Sequence, residues 1–261
     1  MRYLRLLALF ARTELQFELA YRLNFLFDLL SISMIIATSV AAVLVLYSYT
    51  TALNGWTLPQ MLVLLGVYYI VQGIGELVFR PSFQMFMEHV RLGTLDYLVL
   101  KPVSTQFLVS VRHTKIANLG QLVLGVAVVA LGAQQLASTL SVGLVATFAL
   151  ALACGLVLIY ALLLCLSTLS FWFVRVENLL AIYEAFLDAA RFPVDIYPGW
   201  LRATMSTVIP IGVAVTVPAQ AIAGRLDGSG LAAIVAVAGG AWLFSRWFFR
   251  RGLRSYTGAS A

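Results

Sequence analysis

The chain has 261 residues and a formal net charge of +6, but only 11% of its residues are charged, whereas soluble domains carry about 25%. The mean hydropathy of +0.95 and the repeated apolar runs of about 20 residues exclude a soluble protein and predict an all-α polytopic membrane protein. The basic residues lie between the apolar runs, as in cytoplasmic loops, so nucleic acid is not a predicted partner.

Sequence motifs for nucleotide hydrolysis, metal binding and covalent catalysis are absent. No GxxxxGK[ST], GxSxG or HExxH occurs, so the chain is predicted to be no enzyme and to bind no cofactor itself. His89 and His113 lie far apart, without cysteines or carboxylates at metal-ligand spacing, so no metal site is predicted. Cys154 and Cys165 are eleven residues apart in one apolar run, too far for a disulfide within a helix, and are predicted to be buried thiols.

The N-terminal part of the chain is predicted to be an interfacial helix followed by a membrane span. Residues 1–23 place arginines opposite a patch that contains glutamates, with leucines between them, as in a helix that lies in the membrane interface. The alternative is a helical extension of the first span. That span is predicted over Phe25–Tyr49, with Tyr47 and Tyr49 at its outer boundary.

Three further spans are predicted before residue 174. The second opens at Pro59 and is stopped by Arg80-Pro81, and its glycines at positions 66, 73 and 75 let another helix approach closely. The third opens at Ser104 and continues through the apolar run Ile116–Leu131. The fourth covers Val142–Phe173, and Arg175 marks its return to the cytoplasm.

Residues 82–103 form the largest predicted cytoplasmic loop, and its centre reads RLGTLDYLVLKP. Gly93 is placed to end one helix, and Thr94 to N-cap the next. Asp96 then falls in the first turn, where the helix dipole favours an anion, and Pro102 stops the helix. The pattern predicts a short, rigid, exposed helical elbow. We hypothesise that a separate motor protein docks on this elbow.

The segment Glu177–Ile196 is predicted to be the fifth span, with the other proline-flanked segment, Leu201–Ile222, as the alternative for the crossing. Glu177–Ile196 carries unusual charges. Glu184, Asp188 and Arg191 share one face of an otherwise apolar helix. Ionisable groups at membrane depth are costly and usually face a bundle interior or a water-filled cavity, which makes this face a functional candidate. The alternative, that Asp188 and Arg191 form a structural ion pair at the membrane boundary, stays open.

Residues 193–224 are predicted to form a re-entrant hairpin on the outer side. Four prolines interrupt the apolar pattern, and Tyr197 and Trp200 lie where an interfacial aromatic belt would be. Backbone groups freed by these breaks must be buried in protein or hydrated, because lipid offers no hydrogen bonds. The four prolines are Pro193, Pro198, Pro210 and Pro218.

The distribution of basic residues predicts six spans with both termini in the cytoplasm. The sixth span is Leu231–Phe249. With this topology every Lys and Arg is cytoplasmic except Arg191, Arg202 and Arg225. A seventh span over Leu201–Ile222 would place the four C-terminal arginines outside, against the positive-inside tendency.

The order of these elements resembles the permease subunits of type-2 ABC exporters, and the resemblance covers nearly the whole chain. It rests on the N-terminal interfacial helix, the RLGTLDYLVLKP elbow, the segment FPVDIYPGWLR (Phe192–Arg202) and the segment VIPIGVAVTVPAQAI (Val208–Ile222). The likeness is strongest to the small bacterial branch in which permease and ATPase are separate chains. Residues 1–261 would then be one transmembrane permease domain in the bacterial cytoplasmic (inner) membrane.

The resemblance implies partners and site residues. The partners are two copies of a cytoplasmic ABC ATPase, which binds ATP and Mg²⁺, a second permease that is identical or related, and membrane lipids. The elbow corresponds to the coupling helix; Asp96 would offer a charge to the ATPase, while Leu95 and Leu98 fill an apolar groove, although Asp96 could instead merely cap a loop helix. The implied coupling residues are Arg91, Gly93, Leu95, Asp96, Tyr97, Leu98 and Pro102. The candidates for translocation or gating are Glu184, Asp188, Arg191, Pro193, Tyr197, Trp200 and Pro210.

Two functions of other classes remain as alternatives. A secondary transporter or channel would use the charged face of the fifth segment as an ion relay and work without an ATPase. A membrane scaffold without transport activity would tolerate neutralisation of all three charges. The resemblance favours export of an amphipathic or hydrophobic substrate.

Overall fold

The computed structural model describes residues 2–136, 141–173 and 176–256, which leaves Arg175 and the centre of the loop after the third span outside the described residues. The described residues form helices and no β-strand beyond an isolated bridge between Leu53 and Trp56. The α-helices are α1 (Arg2–Ala20), α2 (Arg22–Tyr49), α3 (Leu58–Ile74), α4 (Arg80–Arg91), α5 (Asp96–Val99), α6 (Thr105–Val111), α7 (Leu119–Gln134), α8 (Val142–Thr168), α9 (Glu177–Ala189), α10 (Gly199–Ala203), α11 (Ile211–Ile222) and α12 (Gly228–Ser255).

Several of these helices are long and apolar enough to cross a membrane, which confirms the all-α polytopic prediction. Among the described residues five qualify, and a bent pair, Gly199–Val208 with Ile211–Ile222 at 91°, makes a sixth if it is one span. The five are Arg22–Tyr49, Leu58–Arg91, Ile116–Gln134, Val142–Phe171 and Gly228–Ser255.

Helices α3 and α7 form the centre of the bundle, and glycines set their separation. A Cβ atom built on Gly66 would lie 2.6 Å from the backbone nitrogen of Val129 and 2.8 Å from the carbonyl oxygen of Gly125. Close backbone approach of this kind is how helices associate in lipid, where the hydrophobic effect does not drive them together. Around this pair, α8 and α11 also pack against each other, while α2 and α12 leave most of their surface outside the protein core.

The second span does not stop at Arg80-Pro81, and that prediction is wrong. One π-helical turn, Gly75–Phe79, leads directly into α4, so a continuous helix runs from Leu58 to Arg91. Pro81 has no N–H to donate to the carbonyl of Leu77 four residues earlier. The backbone N–H of Lys115 donates to that carbonyl instead, at 2.9 Å, and therefore the helix continues past the proline.

The third span is interrupted near its start, where the sequence predicts one continuous helix. Helix α6 ends at Val111, and helical structure resumes only at Ile116. The break is held by Ser82, whose hydroxyl donates to the carbonyl of His113 at 2.8 Å and accepts from the N–H of the same residue at 3.0 Å. Hydrogen bonds to Leu77 in the π-helical turn and to Ser82 in α4 thus replace those that a continuous helix would have made.

The fifth segment is shorter as a helix than its predicted length. Helix α9 ends at Ala189, four residues before Pro193, and a proline disfavours the helical conformation at the residue that precedes it. Its 13 residues cover about 20 Å, less than the roughly 30 Å of a hydrocarbon core. The segment nevertheless lies antiparallel to Leu58–Arg91, from an ion pair with Arg80 to a hydrogen bond from the Asn54 side chain to the Asp195 carbonyl.

Both ends of the proline-rich segment lie beside the same loop, Leu53–Trp56. Asn54 holds Asp195 at the start of that segment, and the Arg225 guanidinium lies 4.8 Å from the Trp56 ring centroid at its end. A re-entrant segment enters and leaves the membrane on the same side, so its two ends must lie near each other, as the ends of this segment do. A re-entrant path stays our prediction for residues 193–224.

Helix α1 is separate from α2, because the chain breaks at Tyr21. Its Tyr3 ring packs edge-on to Phe107 of α6, and its Glu14 carboxylate lies 3.3 Å from the His113 imidazole. The N-terminal helix therefore lies along the segment that connects the elbow to the third span.

Candidate functional site

The elbow begins with a helix end that Gly93 makes possible. Gly93 has a positive φ of 68°, a conformation that costs glycine little. Its N–H donates to the Val90 carbonyl at 3.2 Å, and the N–H of Thr94 donates to the His89 carbonyl at 2.9 Å. These two bonds form a Schellman motif, so the prediction that Gly93 ends the helix is confirmed.

The next helix of the elbow is a single turn, and Thr94 does not cap it. Helix α5 has Leu95 at its N-cap position, without a side-chain cap. The Thr94 hydroxyl instead lies 2.8 Å from Nδ1 of His89. The predicted N-cap is therefore wrong, because the histidine on the preceding helix competes for the hydroxyl. The helix ends at Val99, before Pro102.

The elbow divides into buried anchors and an exposed face. Leu95 and Leu98 are 0% and 3% exposed, within the protein's own core. The prediction that these two leucines fill a groove on the ATPase is therefore wrong. The exposed apolar side chains of the elbow are Leu92, Tyr97, Val99 and Leu100, of which Tyr97 is 74% and Leu100 82% exposed.

Other predicted coupling residues lie beside this exposed face. Arg91, at the end of α4, pairs with Glu88 at 2.8 Å. Asp96 is partly exposed in the first turn of α5, and Pro102 is exposed.

Behind the elbow, residues 112–115 connect α6 to the third span. Burial, with the charge of Arg112 as the second cause, lowers the pKa of the His113 imidazole, although Glu14 acts in the opposite direction. The connection is held by the two hydrogen bonds between the backbone of His113 and the hydroxyl of Ser82.

The charges of the fifth segment point at the second span, where they meet partners. The Tyr68 hydroxyl donates to Asp188 at 3.0 Å and accepts from Nε of Arg191 at 3.1 Å. Arg191 also binds Asp188 directly at 2.8 Å, and its guanidinium lies 5.3 Å from the Tyr68 ring centroid. The three side chains form a closed triad that joins α9 to α3.

A second network of charged side chains lies one helical turn from the triad along α9. It contains Glu184 and two residues that were not among the predicted site residues, Glu76 and Arg80. Arg80, the first residue of α4, pairs at 2.6 Å with Glu76 of the π-helical turn, and it also pairs with Glu184 of α9. The pairing of Glu76 with Arg80 could have been predicted from the sequence, because the two residues are four positions apart at the end of an apolar run. Their partner on α9 could be found only from the fold.

A cavity of about 350 Å³ extends from the network of Arg80 and Glu184 to the elbow. It lies between α4 and α9, with Arg80 and Glu184 at one end and Glu88 and Arg91 at the other. Its wall therefore mixes charges with apolar side chains such as Met87.

The proline-rich candidates lie apart from this cavity. Tyr197 donates from its hydroxyl to the carbonyl of Ala189 at 2.6 Å, where it closes the end of α9. Pro193 precedes a 3₁₀ turn, and Trp200 is 71% exposed. Pro210, at the bend between the paired helices, lines a different, apolar cavity of about 450 Å³ between α8 and α12.

No group of three or more His, Cys, Asp or Glu side chains that could hold a metal ion occurs in the described ranges 2–136, 141–173 and 176–256.

Comparison with known proteins identifies the family. A profile described as ABC-2 family transporter protein matches residues 33–260. The chain belongs to the ABC-2 transporter family. No curated protein and no solved structure matched it.

Membership establishes the general nature of this ABC-2 permease. It is a multi-pass membrane protein and a permease of an ABC transporter. Permeases of this family are generally transport subunits without catalytic activity, and they generally work with ATPase subunits.

Proposed function

We propose that this chain is the membrane-spanning subunit of an ATP-driven exporter and that its elbow receives a cytoplasmic ABC ATPase. The observation that carries the proposal is the exposed one-turn helix α5, which the buried Leu95 and Leu98 anchor in an ABC-2 permease. Two ATPase copies would bind ATP and Mg²⁺. Their closure would push on Tyr97 and Leu100.

A second permease subunit, identical or related, completes the proposed complex. The Asp188 side chain is 57% exposed on this chain, yet it accepts a hydrogen bond from Tyr68, which lies about 15 Å along the second span from its first residue, Leu58. A carboxylate at such depth normally faces protein or water and not lipid. A second permease would provide that environment and enclose the cavity between α4 and α9.

The proposed location is a bacterial inner membrane, with both termini in the cytoplasm. The Lys and Arg distribution supports this orientation. In it the elbow and the cavity beside it face the ATPase, and the proline-rich segment lies at the outer exit. The mixed charged and apolar wall of the cavity suits an amphipathic or hydrophobic substrate.

The elbow is tested by replacing its two most exposed apolar side chains. We expect Tyr97→Ala with Leu100→Ala to reduce recovery of a co-expressed ABC ATPase on the tagged permease by about tenfold or more, because central apolar and aromatic anchors dominate interface energies. The measurement is the ATPase-to-permease ratio after affinity purification from membranes.

The matched control is Tyr49→Ala with Val142→Ala. These side chains are each 88% exposed and lie at the ends of α2 and α8 away from the elbow. The control should leave ATPase recovery unchanged. Equal recovery with both double variants would contradict docking at the elbow.

The alternative function, an ion relay along the fifth segment, makes a separate prediction. Because Glu184, Asp188 and Arg191 all have partners on the second span, we expect the purified chain alone to conduct no protons across liposomes. A pH-sensitive dye trapped inside reports the flux after a pH jump. A proton flux that Glu184→Gln abolishes would establish the relay and contradict the ATP-driven exporter.

A further inference from the structure

We propose that the exposed face at the C-terminal end of α12 is a binding site for the headgroups of anionic phospholipids. The face forms a groove of about 720 Å³. Six residues line it at the spacing of one helical stripe: Leu243, Arg246, Trp247, Arg250, Arg251 and Arg254. The proposal is independent of transport and of the ATPase.

The position of the groove along α12 matches the headgroup layer. The helix has 28 residues, or about 42 Å at 1.5 Å per residue, which exceeds the roughly 30 Å of a hydrocarbon core. Its apolar part therefore spans the core, and the last two to three turns, from Arg246 onward, reach the lipid phosphates. Arginine side chains in this layer attract anionic lipids.

The arginines of the groove are available to a ligand. In the described part of the chain, none of the four has a carboxylate partner, whereas other basic side chains such as Arg80 and Arg202 are paired. Arg246 is held in place by the ring of Trp242, with its guanidinium 5.4 Å from the ring centroid. Planar guanidinium groups bind phosphate oxygens through two parallel hydrogen bonds.

Apolar side chains in the same groove favour a lipid over a soluble acidic protein. Leu243, which precedes the four arginines on α12, is 62% exposed, and Trp247, which lies between Arg246 and Arg250, is 60% exposed. An indole at this level is typical of the membrane interface, where its ring meets acyl chains and its N–H meets headgroups. A phospholipid offers both surfaces at this spacing, with a phosphate above a hydrocarbon chain.

The test uses Trp247 as a local reporter. Brominated phosphatidylglycerol or brominated phosphatidylcholine is titrated into the purified permease in mild detergent, and tryptophan quenching is recorded. The Trp247→Phe variant isolates the signal of this one residue. We expect the anionic lipid to quench at an about tenfold to a hundredfold lower concentration than the neutral lipid.

Three variants distinguish binding at this groove from a general effect of the protein's positive charge. Arg246→Gln with Arg250→Gln and Arg254→Gln should abolish the preference for phosphatidylglycerol, and the corresponding lysine triple variant should keep most of it. The control changes Arg5, Arg12 and Arg22 to Gln and so removes three exposed arginines from the N-terminal part of the chain. It should keep the full preference in the Trp247 signal, because this reporter lies on α12 and senses lipid bound beside it.

Several results would overturn the proposal. These are an unchanged preference in the glutamine variant, an equal loss in the control, and equal quenching of the unaltered protein by both lipids. Loss of a second permease copy or of a co-purified ATPase in the glutamine variant, with lipid preference intact, would assign the arginines to a protein interface and also overturn it.

Discussion

Replacing Gly66 with valine is expected to lower the free energy of unfolding of the detergent-solubilised permease by about 2 to 3 kcal/mol. The new side chain would meet the backbone of Val129 and Gly125, from which even a Cβ atom would be only 2.6 and 2.8 Å away. Backbone atoms cannot rotate aside as a side chain can. The two central helices α3 and α7 must therefore separate, and contacts along their whole length are lost.

The matched control is Gly239→Val in α12, because a Cβ atom there would meet nothing within 4 Å. Both substitutions place a β-branched residue in a long apolar helix, so effects on helix propensity are equal. Thermal unfolding followed by size-exclusion chromatography measures both variants. Equal stability of the two would contradict the assignment of α3 and α7 as the tightly packed centre.

Replacing Arg80 with alanine is expected to cost about 2 kcal/mol, because it leaves Glu76 and Glu184 facing each other without their shared cation. Fully buried charge pairs lose 3 to 5 kcal/mol when one partner is removed. The arginine side chain is 27% exposed and Glu184 41%, so the lower value applies. Chemical or thermal unfolding in detergent measures the loss.

Two further variants identify the cause of this loss. Arg202→Ala breaks an ion pair whose arginine is 54% exposed, and exposed pairs contribute at most about 1 kcal/mol. Combining Arg80→Met with Glu76→Gln and Glu184→Gln removes the cation and both anions and should restore most of the stability. A triple variant that stays as unstable as Arg80→Ala would show that the arginine acts through packing and not through charge.

The sequence predicted the membrane class and most long helices, because about 20 apolar residues have few structures available in lipid. It also predicted the end of the helix at Gly93, since a Schellman motif depends on neighbouring residues alone. Helix α2 and the fourth span have close to their predicted bounds for the same local reason, whereas the helix of the sixth span, Gly228–Ser255, begins three residues earlier and ends six residues later than predicted.

The errors occurred where distant parts of the chain replace local hydrogen bonds. A helix can continue past Pro81 when another donor reaches the carbonyl of Leu77. Here that donor is the backbone N–H of Lys115, which lies 38 positions after Leu77. Thr94 would cap the next helix if His89 did not take its hydroxyl. Leu95 and Leu98 look like partner contacts in a polar loop, and only the folded chain shows that they belong to its own core.

The bonds that hold the broken third span also determine how the elbow can move. Ser82 and Leu77 tie the base of α4 to residues 113 and 115 on the other arm of the loop, about 15 Å from the end of α4 at Arg91. In the proposed complex, an ATPase that pushes on the exposed face of α5 would turn α4 about these hydrogen bonds. The first part of the second span to be displaced would then be the π-helical turn that carries Glu76, which is where the pairing of Arg80 with Glu76 and Glu184 lies.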